Sequence, residues 1–264
     1  MNRKLVLVLL MSLISIFFIT PLFSQSLKGL SLGGTTGLIT TPTGRIAWEE
    51  STNFGLDFGY HFSTDRGFGE NESIFNAVIT MFRDLETGVT LDLQQGSNET
   101  DLIIFGKYQM YNSGESGMAM GGNFQILDLG SDFSSQYGQI YLASTYSGSF
   151  MDVPAATTLV FGKTFDINTT WNNSIDFSMG FDLSLFPSVF HGYLHWISEF
   201  SNYSYSMNSI ITNALVRGAF NTGLRVELLP NSRYKFILDA TLMDVFDTGI
   251  NSFALGGSFG LPIR

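Results

Sequence analysis

The chain contains no cysteine. Disulfides, thiolate metal sites, catalytic thiols and lipidated N-terminal cysteines are therefore excluded. Charge is also scarce. Charged residues make up 14% of the 264 residues, against roughly 25% in an ordinary soluble domain. Basic residues are scarcer still, with Lys and Arg numbering 13 against 23 Asp and Glu. Such an acidic balance excludes nucleic acid as a partner, because a phosphate backbone demands a basic face. Proline occurs only 6 times, and no run of 18 apolar residues follows residue 26. The chain beyond that point therefore has no candidate membrane-spanning helix.

What is abundant points the other way. Hydrophobic residues reach 44%, with 25 Phe, 10 Tyr, 3 Trp and 28 Gly. Many aromatics and few charges suit a surface that meets lipid, and many glycines suit strands that curve.

Residues 1–26 read MNRKLVLVLLMSLISIFFITPLFSQS. Arg3 and Lys4 precede an apolar core from Leu5 to Ile19, Pro21 breaks it, and Ser24-Gln25-Ser26 supplies small residues for cleavage. This is the pattern of a secretory signal peptide, and its core is short of the roughly 20 residues that span a bilayer. Removing it takes Arg3 and Lys4 away, leaving 11 basic against 23 acidic residues and a charge near −12.

The rest repeats one design: segments of about ten residues alternate apolar and polar, then break at Gly, Asn, Asp, Ser or Pro. In 53–62, Phe54, Leu56, Phe58, Tyr60 and Phe62 share one face, and Asn53, Gly55, Asp57, Gly59 and His61 the other. Residues 85–94, 175–185 and 220–228 alternate as cleanly. Weaker alternation marks 73–83, 100–111, 118–127, 136–147, 155–164, 189–200, 233–243 and 252–262. The expectation is an all-β, antiparallel transmembrane barrel of about twelve strands, with ten to fourteen admissible, over residues 52–264. Tight turns (Asp84, 112–117, 148–154, 186–188, 229–232) alternate with longer polar loops (63–72, 96–99, 128–135, 165–173, 201–218, 244–251). Short periplasmic turns and long external loops give that asymmetry in bacterial barrels.

A soluble sandwich also alternates. Long aromatic faces on nearly every segment favour the membrane, with Tyr60, Tyr108, Tyr146, Trp196 and Tyr234 placed for interfacial girdles. The expected location is the bacterial outer membrane, and the expected partners are its lipid and the barrel-insertion machinery. Many proteins of this class end on an aromatic residue; this sequence ends on Arg264.

The opposite faces carry Asp57, Glu86, Asp92, Asp101, Lys107, Asp176, Asp182, Glu199, Arg225, Glu227, Lys235 and Asp239. Buried alone, each would cost several kcal/mol, so they need water or one another. They are the candidate lumen-lining set. A hydrated lumen with this acid excess favours cations, whereas a salt-bridged one passes nothing. No metal, cofactor or catalytic site is expected. His191, His195 and Glu199 recur every fourth residue, but on a strand four residues span about 13 Å, too far for one ion. His61 and Ser63 share a face, a faint likeness to barrel deacylases of lipid A that lacks the further Asn.

Residues 27–51 precede the first clean strand as a lead-in or partial plug. Within them Gly37-Leu38-Ile39-Thr40-Thr41-Pro42-Thr43-Gly44-Arg45 resembles the G-L-I-x-x-P-T-x-R stretch of the YjbH-type outer-membrane barrels linked to exopolysaccharide production. The resemblance implies a short, single-barrel relative and a role with polysaccharide. The functional expectation is a porin-like or polysaccharide-export-associated channel passing small solutes or polysaccharide. A non-conducting structural or surface-binding barrel is the alternative, and a lipid-modifying enzyme a more distant one.

Overall fold

A computed structural model describes residues 28–48, 53–65, 70–97, 99–130, 134–167, 175–202, 218–229, 232–250 and 252–263. The signal peptide, most of the 201–218 loop and Arg264 lie outside the described residues.

Among these described residues, twelve strands form one closed antiparallel barrel. They are β1 (Phe54–Asp65), β2 (Glu70–Met81), β3 (Leu85–Gln94), β4 (Thr100–Asn112), β5 (Ser116–Leu127), β6 (Ser135–Phe150), β7 (Val153–Asp166), β8 (Asp176–Ser184), β9 (Leu194–Ser201), β10 (Ala219–Glu227), β11 (Lys235–Leu242) and β12 (Ser252–Ile263). Each pairs with its neighbours in sequence. The first and last close the ring, from Phe54 opposite Ile263 to Asp65 opposite Ser252. Closure satisfies the ladder of every strand, which an open sheet in hydrocarbon cannot do.

The register fixes which face is which. Phe58, Phe75, Leu91, Ile104, Ile140, Phe161, Phe181, Leu224, Leu238 and Phe259 stand exposed on the outer wall. Their strand neighbours Asp57, Ile74, Asp92, Ile103, Gln139, Val160, Asp182, Arg225, Asp239 and Ser258 are buried inside. Tyr108, Tyr146, Trp196 and Tyr234 lie outside toward the rim of short turns. Tyr60 sits nearer mid-strand, its ring 5.0 Å from that of Phe75.

Several connections differ from the sequence expectation, among them the 63–72 loop, since β1 runs to Asp65 and β2 starts at Glu70. The ladder of β6 and β7 runs on to the pair Phe150 and Val153, so the turn is Met151-Asp152 alone rather than 148–154. Both residues have positive φ, which gives a two-residue turn whose twist matches the flanking strands. Residues 189–193 belong to a turn rather than to β9. Pro187 starts a one-turn helix, α1 (Pro187–Phe190), with Phe186 and His191 left-handed at its two ends. A second one-turn helix, α2 (Val245–Thr248), sits in the connection before β12. A window of alternation does not register turns this short.

Residues 28–48 lie inside the barrel. They form no strand; two isolated bridges, Leu30 with Thr36 and Gly37 with Pro42, tie the segment to itself. Backbone bonds from Leu32 to Ile39 and from Leu38 to Thr41, both 2.8 Å, fold it into compact turns. Gly34 takes φ +90, and a Cβ there would press into Thr90 and Phe105 of the wall. Only glycine fits that combination of backbone and space.

Candidate functional site in the barrel interior

The inner segment crosses the barrel more than once and bonds to walls on opposite sides. Its first contacts are with β2, β3 and β4. Asn76 donates to the carbonyl of Leu32 (3.2 Å), and Thr90 to that of Gly33 (3.0 Å). Glu86 accepts from the Thr36 amide (2.8 Å) and from the Thr36 hydroxyl. Lys107 lies 3.1 Å from Glu86 and also donates to the Thr36 carbonyl at 2.8 Å.

The chain then turns toward β8, β9 and β10. Glu199 accepts from three consecutive amides: Ile39 (3.1 Å), Thr40 (2.9 Å) and Thr41 (3.1 Å). The Thr40 hydroxyl adds a fourth bond at 2.6 Å, and Asn221 a fifth, from β10, at 2.9 Å. Thr41 and Ser178 join their hydroxyls. Successive amides that converge on one anion form a concave nest with positive potential. Arg225 supplies the complementary grip. It donates to the carbonyls of Gly37 (2.7 Å), Leu38 (3.0 Å) and Leu30 (3.3 Å), and holds Asp239 at 2.6 Å.

From there the segment returns to β4 and β6. Gly44 donates to Thr145 (2.9 Å) and accepts from Gln109 (3.0 Å), while Arg45 reaches Asn112 at 3.0 Å and the Gly114 carbonyl. Trp48 ends the path beside β1, its indole N–H 2.6 Å from Asp57. Lys235 of β11 bonds Asp57 at 2.7 Å and stands 4.2 Å over the Trp48 ring.

Apolar contacts reinforce these bonds. Leu32, Leu38 and Ile39 of the segment cluster with Ile74, Ile103, Ile197, Met243 and Ala254 of the wall side. Leu30 packs with Val78 and Phe105.

The predicted inward set falls into three groups and one separate residue, Glu227. Asp57, Glu86, Lys107, Glu199, Arg225, Lys235 and Asp239 converge on the inner segment directly or through one partner. Asp176 and Asp182 pair within the wall. Asp176 accepts from Gln139 (3.0 Å) and Thr164 (2.5 Å), and Asp182 holds His195. Asp92 and Asp101 are buried opposite each other on β3 and β4, toward the long-loop rim, where Asp101 accepts from the Asp128 amide at 2.9 Å. Glu227 is half-buried where β10 meets the short-turn rim.

His61 lies 3.6 Å from Asp239, and it and Ser63 are buried inside the barrel, away from lipid. His195 and Glu199 serve separate partners, and His191 sits in the turn after α1. Among the described residues no three His, Asp or Glu side chains gather as a metal site.

Several contributors were not singled out from sequence: Trp48, Asn76, Thr90, Gln109, Thr145, Ser178 and Asn221. Their signal was parity alone. Asn76, Thr90, Gln109, Ser178 and Asn221 each share the odd or even register of an inward charge on their own strand, whereas Thr145 stands on β6, which carries no charged residue.

No protein-family model matches the sequence, and no curated protein matches it. Solved structures do match. The KdgM porin aligns with TM-score 0.52 and 7% identity, over 79% of this chain and 99% of KdgM. The KdgM porin in complex with disordered oligogalacturonate aligns with TM-score 0.51 and 7% identity, over 80% and 99%. Omp33 of Acinetobacter baumannii aligns with TM-score 0.43 and 9% identity, over 80% and 98%. At such identities the KdgM likeness is one of fold. With its closed ladder and its apolar outer wall, the chain is a porin-like β-barrel of the bacterial outer membrane.

Proposed function

We propose that the protein is a porin-like channel for small solutes, closed at rest by its own residues 28–48. The single observation behind this reading is the spread of that segment's bonds, which reach β1 to β4, β6 and β8 to β10. A segment held on all sides obstructs the cross-section. It is held by hydrogen bonds, which exchange for water at modest net cost, and by apolar contacts, rather than by a covalent cross-link.

The inward charges support a preference for cations. Nine candidate acids face three candidate bases. A polyanion such as the oligogalacturonate of the KdgM complex would meet repulsion along that wall. The exopolysaccharide role implied by the sequence resemblance extends here only to an uncharged or cationic chain.

Single-channel recording in a planar bilayer tests the reading. Wild-type barrels are expected to show rare, brief openings. The double variant Arg225→Met/Asp239→Leu removes the three carbonyl grips without stranding a buried charge. It is expected to raise the open fraction about tenfold or more, since each bond to a charged group contributes about 1.5–3 kcal/mol. Equal silence of both proteins supports instead a non-conducting structural barrel, the reading favoured by the mutual pairing of Glu86 with Lys107 and Arg225 with Asp239.

A further inference from the structure

The inward charges are not compensated in the same way. Glu86 has Lys107, Asp57 has Lys235, Asp239 has Arg225, and Asp182 has His195. Each of these partners belongs to the wall and remains if the inner segment leaves. Glu199 is different. Among the described residues no cationic side chain stands within ion-pair distance of it, although it is 1% exposed. Its five bonds come from neutral donors, and four of those five belong to the segment. When the segment withdraws, Asn221 alone remains on a full negative charge.

Resting on the channel reading above, we infer that Glu199 is the cation-binding residue of the open barrel, and that the Ile39–Thr41 amides occupy its site in the closed state. The amide nest presents what a bound cation would present: several N–H donors and positive potential, converging on both carboxylate oxygens. The ligand class follows from those donors. Four donors at 2.6–3.1 Å match an ammonium or guanidinium group, which donates several bonds from one centre. Asn221 bonds the carboxylate from β10, and Ser178 bonds the hydroxyl of Thr41, whose amide the carboxylate also holds. The solute and the segment then compete for one carboxylate, so the solute also favours opening. Under linkage, a ligand that binds only the open form shifts the population by its occupancy of that form.

The test compares two neutralised variants of the full-length chain, Glu199→Gln and Glu86→Gln, with wild type in planar bilayers. Both substitutions weaken the hold on the segment, so both are expected to open more often. Only Glu199→Gln is expected to lose cation binding. Reversal potentials in a KCl gradient report ion preference. Ethylammonium, which carries N–H donors, and tetramethylammonium, which carries none, probe the site as blockers of the potassium current. The expected result is that ethylammonium slows the current through wild type and Glu86→Gln. Glu199→Gln raises its half-blocking concentration about tenfold and shifts the reversal potential toward zero. Glu199→Asp, which keeps the charge on a shorter stem, retains the preference and weakens the block in part. Heat-modifiability on gels shows that each variant has closed its barrel.

Equal block and equal preference in Glu199→Gln and Glu86→Gln overturn the assignment to Glu199 while leaving a channel with a diffuse acidic wall. Equal block by tetramethylammonium overturns recognition through N–H donors. Silence of all the variants overturns the channel reading itself, and this inference with it.

Discussion

The wall formed by β2, β3 and β4 and the wall formed by β8, β9 and β10 grip the same segment by different means. The first presents apolar side chains inward: Ile74, Val78, Ile103 and Phe105. Its charged contacts to the segment, Glu86 and Lys107, both bond Thr36 and balance each other at 3.1 Å. The second presents Glu199 and Arg225 directly to amides and carbonyls of the segment. Outside, the two walls are alike, with Leu91 and Phe181 each 38% exposed. Opening therefore acts unequally on the two walls. Detaching the segment from the first wall exposes apolar surface and leaves an ion pair intact. Detaching it from the second leaves Glu199 without most of its compensation, so that wall carries the electrostatic change.

The largest effect that would break the comparison belongs to Glu199→Ala. It strands the amides of Ile39, Thr40 and Thr41, and each orphaned buried donor costs about 1–3 kcal/mol. Hydrogen exchange at those amides is expected to quicken about a hundredfold or more, while the ladder amides of β9 keep their protection. Unchanged exchange would show that the second wall does not hold the segment.

Next in size are paired substitutions on the outer faces, Leu91→Arg and Phe181→Arg. Each places a cation against acyl chains at mid-strand, at about 2–4 kcal/mol. Equal loss of heat-modifiable barrel from both is expected. A large inequality would mean that the walls differ outside as well as inside.

Gly180→Val follows. A Cβ at this β8 position runs into Leu38 of the segment, and overpacking of this kind costs about 1–3 kcal/mol. The variant should open more often, and Leu38→Ala added to it should restore closure. Failure of the second substitution to rescue would separate the gate from this contact.

The smallest effect is expected of the double variant Glu86→Gln/Lys107→Gln, about 1 kcal/mol, because no buried charge is stranded and an amide still accepts from Thr36. Limited proteolysis of the 28–48 segment in folded barrels would rank this variant against Glu199→Ala. A reversed order would invert the roles of the two walls.

The same comparison explains what the sequence made legible. Strands β1, β3 and β8 alternate cleanly because their inward positions carry Gly, Ser, Thr, Asp and Glu, as in Asp176, Ser178, Gly180, Asp182 and Ser184. Strands β2 and β4 alternate weakly because Ile74, Val78, Ile103 and Phe105 turn inward to pack on the segment. Period two then yields apolar residues on both faces, and the pattern fades. The weak alternation was itself a sign that something apolar lies within, yet it is indistinguishable from noise without a partner to place there. Residues 27–51 admit two readings, a lead-in or a partial plug, because their turns follow neither strand nor helix period and so do not place them inside. The inward charges were legible from parity, since a charge beside an outward Phe must face in. Their division into acids compensated by the wall and Glu199, bonded mainly by the segment, was not, because it depends on register between strands far apart in sequence.

The most direct measurement uses a reversible tether. The chain has no cysteine, so Leu38→Cys with Gly180→Cys creates a single disulfide between the segment and β8, at a place where the Leu38 side chain already meets the Gly180 backbone. Recorded in one bilayer, the oxidised barrel is expected to lose its openings and to regain them when a reductant is added. Oxidised and reduced barrels that conduct alike would contradict closure by the inner segment.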